Sequence, residues 1–405
     1  MKRIYDSLIQ RYLQQYNQML FLSGPRRVGK STLSLGGKKL TKNFAYYNWD
    51  NYEHKKIIIT GGEQIIETLN LQKLYPKEEA KPILVFDEIH KYSKWKSFLK
   101  DFFDTYGERI HIIVTSSSKL NICKKDGDSL LGRYFSYRVH PISVAECVDI
   151  ELGTQEVRKP KTIKRGIFQD LFEFGGFPET FIKKDRRFSN RWQCLRKEQL
   201  FREDVRDLTR VQEISQLEIL AELVYQQSGQ LVNYSNLANK INVSVDTIRR
   251  WFEILNSFYY CFTIRPWTKN ISRSLLKEPK VYQWDWSNIK DVEARAENFV
   301  ASHLLKAVHF WTDYGFGNYN LYFLRDKEKH EVDFIVTKDD KPWFMVDVKY
   351  SNDSSISKNL FLFQKQTNAL HAFQVVFDME PVDQDCFSYR EPVIVPVQTL
   401  LSQLV

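Results

Sequence analysis

MLFLSGPRRVGKSTLSLGGKKL, residues 19–40, decides the architecture. An apolar run ends at Gly24, a short loop follows, and the pattern turns helical from Lys30. Strand, loop and helix around GPRRVGKS (24–31) satisfy GxxxxGK[ST], the loop that wraps phosphate. Gly24 and Gly29 let backbone N–H groups curl round phosphate oxygens, and the start of the helix adds positive potential. Lys30 is placed to reach terminal phosphates, and Ser31 offers a hydroxyl to Mg²⁺, a hard ion that keeps much of its water. The expected nucleotide contacts run through Gly24, Pro25, Arg26, Arg27, Val28, Gly29, Lys30, Ser31 and Thr32, with Arg26 and Arg27 facing solvent.

Outward from the loop, residues 3–15 read as a helix, and apolar runs recur at FAYYNW (44–49), ILVFDEI (83–89), HIIVTS (111–116) and YFSYRVH (134–140). Stretches long enough for helices separate them, which predicts a doubly wound parallel sheet. ILVFDEIHK ends in the acidic pair Asp87 and Glu88. Asp87 is expected to hold Mg²⁺ through water and Glu88 to polarise the attacking water; beside Lys30, a plain turn-forming acidic pair is the weaker reading. Thr115, Ser116, Ser117 and Ser118 close the next strand, where one of them senses the terminal phosphate or the run is simply a turn. Arg133 in SLLGRYF is the candidate cation for transition-state charge, on its own nucleotide or a neighbour's, with a surface arginine as the alternative. His90 reads as a loop residue.

The 405 residues exceed what one core usually serves. With 43% hydrophobic and 27% charged residues, wholesale disorder and fibrous structure are excluded. The 59 Lys and Arg against 50 Asp and Glu give a net charge of +9, which favours polyanionic partners. Five cysteines at 123, 147, 194, 261 and 386 form no CxxC pair, the pattern of free thiols in a reducing compartment. No signal-like start or long apolar segment is visible, so the expectation is a cytoplasmic protein without a membrane partner.

Past residue 145 the pattern changes to amphipathic helices, with FEFGGFPETF as a Gly-Pro-broken turn and mixed charges at helical spacing over 188–210. Residues 215–290 read as three helices followed by strand-like YYCFTIRPW and KVYQWDW, a winged helix-turn-helix order. Ser244 is the expected N-cap of its second helix. In a DNA reader Asp246, Thr247, Arg249 and Arg250 face the major groove, and Lys269, Arg273 and Lys277 clasp phosphate from the wing; a protein-contact module is the alternative. From about 291 a helix containing Glu297 precedes strands LYFLRD, EVDFIVT and FMVDVKY. A hairpin brings Asp333 and Asp347 to one edge, close enough to share a divalent ion, with Lys349 positioned to act on water.

FLSGPRRVGKSTL, ILVFDEIHK, IIVTSSS, LLGRYFSYRVHPIS and FEFGGFPETF, in that order, resemble the prokaryotic AAA-type P-loop ATPases that carry a C-terminal domain of unknown function. The resemblance covers nearly the whole chain. It implies an ASCE-type core that binds ATP, with Lys30 and Ser31 as Walker A, Asp87 and Glu88 as Walker B, and Ser117 at the sensor position. The C-terminal pattern resembles the PD-(D/E)xK nucleases in its helix glutamate, strand aspartate and DxK, here Glu297, Asp333, Asp347 and Lys349, with Gln364 on the following helix. That second resemblance implies a further Mg²⁺ or Mn²⁺ on Glu297, Asp333 and Asp347.

The expected fold is α/β: a P-loop ATPase domain (1–145), a helical lid (146–214), a winged helix (215–290) and a restriction-endonuclease-like domain (291–405). Three outputs stay open: an ATP-driven switch acting on DNA, an ATP-gated nuclease, and a nucleotide-dependent scaffold with a protein partner. Assembly into a homo-oligomer stays open too.

Overall fold

Strands β1 (Met19–Ser23), β2 (Phe44–Asn48), β3 (Ile83–Asp87), β4 (His111–Ser116) and β5 (Tyr134–Arg138) form one sheet in the order β2-β3-β4-β1-β5. All four pairings are parallel. The computed structural model describes all residues apart from 72–79, 120–129, 207–212, 269–276 and 352–354. It divides into two compact units, Met1–His140 and Pro141–Val405.

β1, β3 and β4 are buried along their whole length. Helices cover both faces of such a sheet, which is why these strands read as unbroken apolar runs. From β1 the chain crosses to the far edge at β2, returns through β3 and β4, and finishes on β1's other side at β5. Ligands in open α/β sheets bind at the strands' carboxyl ends where the winding changes direction, and here that point is the end of β1. Helices Ile4–Gln15, Lys30–Leu35, Tyr52–Ile59, Glu63–Thr68 and Trp95–Tyr106 complete the unit. The helix expected to run through residue 40 stops at Leu35 and tightens into a 3₁₀ turn, Gly36–Lys39. Consecutive glycines at 36 and 37 favour neither continuation nor a stable α turn.

The second unit opens with helices Val144–Val148, Arg165–Phe174, Pro178–Lys183 and Arg186–Gln199, the last continuing as a wider π turn, Leu200–Val205. Gly175, at φ 79°, ends one helix, and Pro178 starts the next at its first turn, as FEFGGFPETF predicts. Helices Ile214–Gln226, Tyr234–Ile241 and Val245–Ser257 follow, then the antiparallel strands β6 (Cys261–Pro266) and β7 (Lys280–Gln283). Ser244 does cap the third of these helices, accepting from the Thr247 N–H.

Helix Val292–Tyr314 leads into β8 (Tyr319–Arg325), β9 (Glu331–Lys338) and β10 (Lys341–Lys349), an antiparallel meander. Helix Lys358–Thr367 then crosses to β11 (His371–Val376), parallel to β10, and β12 (Val393–Pro396) lies beyond it. β11 and β12 have no counterpart in the sequence reading. Arg265 and Pro266 of β6 pair with Tyr322 and Phe323 of β8, so the hairpin joins these strands in one seven-stranded sheet, β12-β11-β10-β9-β8-β6-β7. Among the described residues no helix is long and apolar enough to cross a membrane.

The core of the first unit sets Phe21 of β1, Phe86 of β3 and Val114 of β4 against Trp95, Leu99 and Phe102 of the 95–106 helix. Phe86 is fully buried and meets Phe98 and Phe102 edge-on. Phe86→Ala is expected to cost the first unit about 3–5 kcal/mol, the range for emptying a buried aromatic site, measured as a lowered urea midpoint of its unfolding transition.

Candidate nucleotide site

The loop after β1 owes its shape to two glycines. A Cβ on Gly24 would collide with the carbonyl oxygen of Val139, and Gly29 sits at φ 102° as the N-cap of the 30–35 helix. Arg27 is also left-handed, at φ 63°. Alternation of left- and right-handed residues turns successive N–H groups inward, the anion-binding geometry called a nest. Lys30 is 5% exposed, and its ammonium donates to the carbonyls of Gly24 and Pro25, both at 2.8 Å, so its charge stands inside the loop. Val28 is buried beneath it, while Arg26 and Arg27 are half-buried and Thr32 is exposed.

Arg3, which the sequence reading passed over, braces this loop from outside. It is almost fully buried and donates to the carbonyls of Val28 at 3.2 Å and His140 at 2.7 Å.

Asp87, the last residue of β3, is 2% exposed and collects three hydroxyls. Ser31 donates to its Oδ2 at 2.7 Å, Tyr46 of β2 donates to the same oxygen, and Thr115 of β4 donates to Oδ1. The hydroxyl–carboxylate pair of Ser31 and Asp87 is an all-oxygen donor set beside the phosphate loop, which fits Mg²⁺. Tyr46 carries no motif signal. It reads as one more strand aromatic, and only the pairing of β2 with β3 brings it to Asp87.

Glu88 turns away from the strand at φ 56°. Its Oε2 accepts from the Ser117 hydroxyl at 2.6 Å, which selects Ser117 from the polar run after β4. Burial pushes the Glu88 carboxyl above the usual glutamate range, opposed by the Lys30 charge and the Ser117 hydrogen bond. A carboxylate with a raised pKa next to a phosphate loop is suited to accept a proton. His90 packs behind the pair, its Nδ1 at 3.1 Å from the Ser116 hydroxyl.

Arg133 is not brought to this loop. It immediately precedes β5, its carbonyl accepts from the Met19 N–H at the start of β1, and its guanidinium forks onto Asp104 at 2.6 and 2.9 Å. In a parallel sheet that is the amino edge, about 13 Å of strand from the loop. Of the three readings left open by the sequence, action on its own nucleotide does not fit.

In the second unit, Glu297, Asp333, Asp347 and Lys349 do gather. The Asp333 carboxylate accepts from the Val348 N–H at 2.8 Å, and Lys349 contacts Asp347 at 3.0 Å. Burial, then the Asp333 charge, raise the carboxyls of Glu297 to about 7 and of Asp347 to about 6. Lys280, which carries no motif signal, enters from β7 and stands 3.1 Å from Glu297, 2.6 Å from Glu331 and 3.7 Å from Asp333. Burial opposes its charge, but these carboxylates outweigh that and raise its pKa. Gln364 lies apart, donating to the carbonyls of Ala369 and Arg390. Lys269 and Arg273 lie outside the described residues.

Three segments of the chain match known family models. Residues 16–148 match the family model described as AAA domain, 165–289 a domain of unknown function (DUF8612), and 293–396 a second domain of unknown function (DUF4143). Together with the sheet order and the loop, the first match defines the N-terminal unit as a P-loop domain of the AAA class. An uncharacterized protein of Methanocaldococcus jannaschii is 22% identical over 86% of this chain and 78% of its own length. Among solved structures, the Aeropyrum pernix Orc1 protein in complex with DNA is 12% identical, covering 74% of this chain and 92% of that one, with a TM-score of 0.32. AMPPCP-bound DnaA from Aquifex aeolicus is 12% identical over 62% and 86%, with a TM-score of 0.33.

Burial, followed by the charges of Lys91 and Lys30, holds the His90 imidazole down at about 3. The unfolded chain binds that proton near pH 6.5. His90 therefore contributes stability above pH 6.5 that is lost as pH falls from there toward 3. His90→Gln is expected to make the urea midpoint of the first unit fall less between pH 7 and pH 5 than it does in the wild type.

Proposed function

We propose that the protein is a Mg²⁺-dependent ATPase that works as a molecular switch, its nucleotide state acting on a winged helix and an endonuclease-like domain that engage DNA. The observation carrying the ATPase reading is the pair of contacts at the carboxyl edge, Ser31 to Asp87 and Ser117 to Glu88. One acid is committed to the hydroxyl beside the phosphate loop, and the other is held by a neighbouring strand with its carboxyl pKa raised.

In this reading the nest of loop N–H groups and Lys30 bind the phosphates, with Lys30 giving up the carbonyls of Gly24 and Pro25 for phosphate oxygens. Mg²⁺, when bound on the side of Ser31 and Asp87, neutralises developing phosphate charge. Glu88 orients a water in line with the terminal phosphate and accepts its proton, while Ser117 fixes the carboxylate and reports whether that phosphate is present. Release of Ser117 from Glu88 moves the end of β4, the element through which the switch acts.

The DNA part of the reading is supported by helix 245–257, which follows a second helix across a short turn and leaves Arg249 and Arg250 exposed ahead of the β6–β7 hairpin. The net charge of +9 points the same way. The meander β8–β10 with β11 parallel to β10, preceded by the helix bearing Glu297, supports the endonuclease-like reading.

Lys30→Ala is expected to abolish ATP binding, measured with a fluorescent analogue. Glu88→Gln should keep binding while turnover falls about 10²- to 10⁴-fold, the contribution of a positioned base; unchanged turnover would remove Glu88 from that role. Wild-type turnover should fall on the acid side at a pH above that of an ordinary glutamate, because the base must be ionised. For DNA, affinity should drop steeply as salt rises, and Arg249→Ala with Arg250→Ala should weaken binding and flatten the salt slope. Absence of low-salt binding would leave a protein-directed switch.

A further inference from the structure

The acid cluster between β9, β10 and the 292–314 helix already has a cation. The Lys280 side chain is 5% exposed, and its ammonium faces three carboxylates: Glu331 at 2.6 Å, Glu297 at 3.1 Å and Asp333 at 3.7 Å. Some of the remaining lone pairs are engaged as well, although Asp347 Oδ2 is buried with the Lys349 ion pair as its one contact. Tyr282, two residues along β7, donates to the same Glu297 oxygen at 2.7 Å, the Val348 N–H donates to Asp333, and Arg325 pairs with the other oxygen of Glu331 at 2.8 Å. Lys349 takes Asp347.

Two features make this arrangement fixed. Lys280 sits on a strand bonded on both sides: it is in register with Ile264 of β6 and bridges to Leu231, and the flanking Val281 N–H donates to Gln230. The turn opposite closes over the carboxylate, since the open side of Gly229 faces the Glu297 oxygens and its N–H donates to Val281. The ammonium is thus delivered from a backbone held on both sides, and withdrawing it would leave three carboxylates without their shared cation.

A divalent ion on carboxylates sits about 2.0–2.6 Å from their oxygens and, for Mg²⁺ or Mn²⁺, needs open positions for water. Here the oxygens that would face it face a monovalent cation instead. Among the described residues, the trio of potential ligands whose donor atoms lie within 4.8 Å of one another is Asp326, Glu328 and His330 on the β8–β9 turn, not the acids of β9 and β10.

We infer that Lys280 is a tethered replacement for the metal ion, so that the endonuclease-like centre excludes divalent cations and serves as a cation-bridged joint between the β6–β7 hairpin and the C-terminal strands. Four carboxylates, Glu297, Glu331, Asp333 and Asp347, are met by three cations, Lys280, Arg325 and Lys349. The inference rests on the endonuclease-like reading for what these acids would otherwise hold. It assigns the C-terminal domain a binding role without metal-dependent strand cleavage.

The test is Mn²⁺ titration of the full-length chain without nucleotide, followed by electron paramagnetic resonance. Wild type and Asp347→Asn should give the same isotherm. Lys280→Gln should acquire a Mn²⁺ site at least tenfold tighter than any in the wild type, lost again when Asp347→Asn is added, and Lys280→Arg should give the wild-type isotherm. A wild-type site that Asp347→Asn removes would overturn the inference while upholding the endonuclease-like reading. A folded Lys280→Gln with no new site would overturn both. If Lys280→Gln does not fold, the wild-type comparison with Asp347→Asn decides alone. ATP turnover on the same samples keeps the P-loop assignment separate.

Discussion

The carboxylate of Asp87 holds the first unit's working edge together. Three hydroxyls from three different places in the chain end on it: Ser31 after β1, Tyr46 on β2 and Thr115 on β4. A buried carboxylate without such donors would be costly, and hydrogen bonds to a charged acceptor are about twice as strong as neutral ones. The same contacts fix the phosphate loop relative to β3, and through the next residue they fix Glu88 relative to Ser117. The site's precision follows from the strand order, because only with β4 between β3 and β1 do Thr115 and Ser117 reach the acids.

Much of this edge was legible in the sequence for a physical reason. A parallel sheet buries both faces, so its strands are short apolar runs, and a phosphate loop needs glycine at fixed places whatever surrounds it. Each of the five N-terminal strands falls within its expected run; β4 ends with its run, and the other four stop one or two residues short. Arg133 is equally instructive. It precedes its strand rather than following it, and in a parallel sheet residues before a strand lie at the edge where ligands do not bind. That clue was present and would have separated Arg133 from the loop.

Other residues were not legible because their roles depend on pairing between distant segments. Tyr46 looks like any alternating strand aromatic, and Arg3 like a solvated residue at a chain start. Lys280 looks like an edge-strand charge of the kind that discourages aggregation. Each acquires its partner from topology: β2 beside β3, the first helix behind the loop, and β7 carried to the acids by its hairpin. β11 and β12 escaped notice for a simpler reason, since HAFQVV is interrupted by polar residues and VIVP is only four residues long. The acids of β9 and β10 were found, but their neighbour was not.

The pairing of Arg265 and Pro266 with Tyr322 and Phe323 bears on how this protein can be dissected. Cutting the chain near residue 290, where the helical pattern of the last third begins, would leave β8 with a bare row of N–H and C=O groups along its side. It would also leave four carboxylates with two of their three cations. Such a fragment would tend to pair with itself edge to edge and to swell around its own negative charge. The natural piece for expression is the whole second unit, from Pro141 onward, in which each of these groups keeps its neighbour.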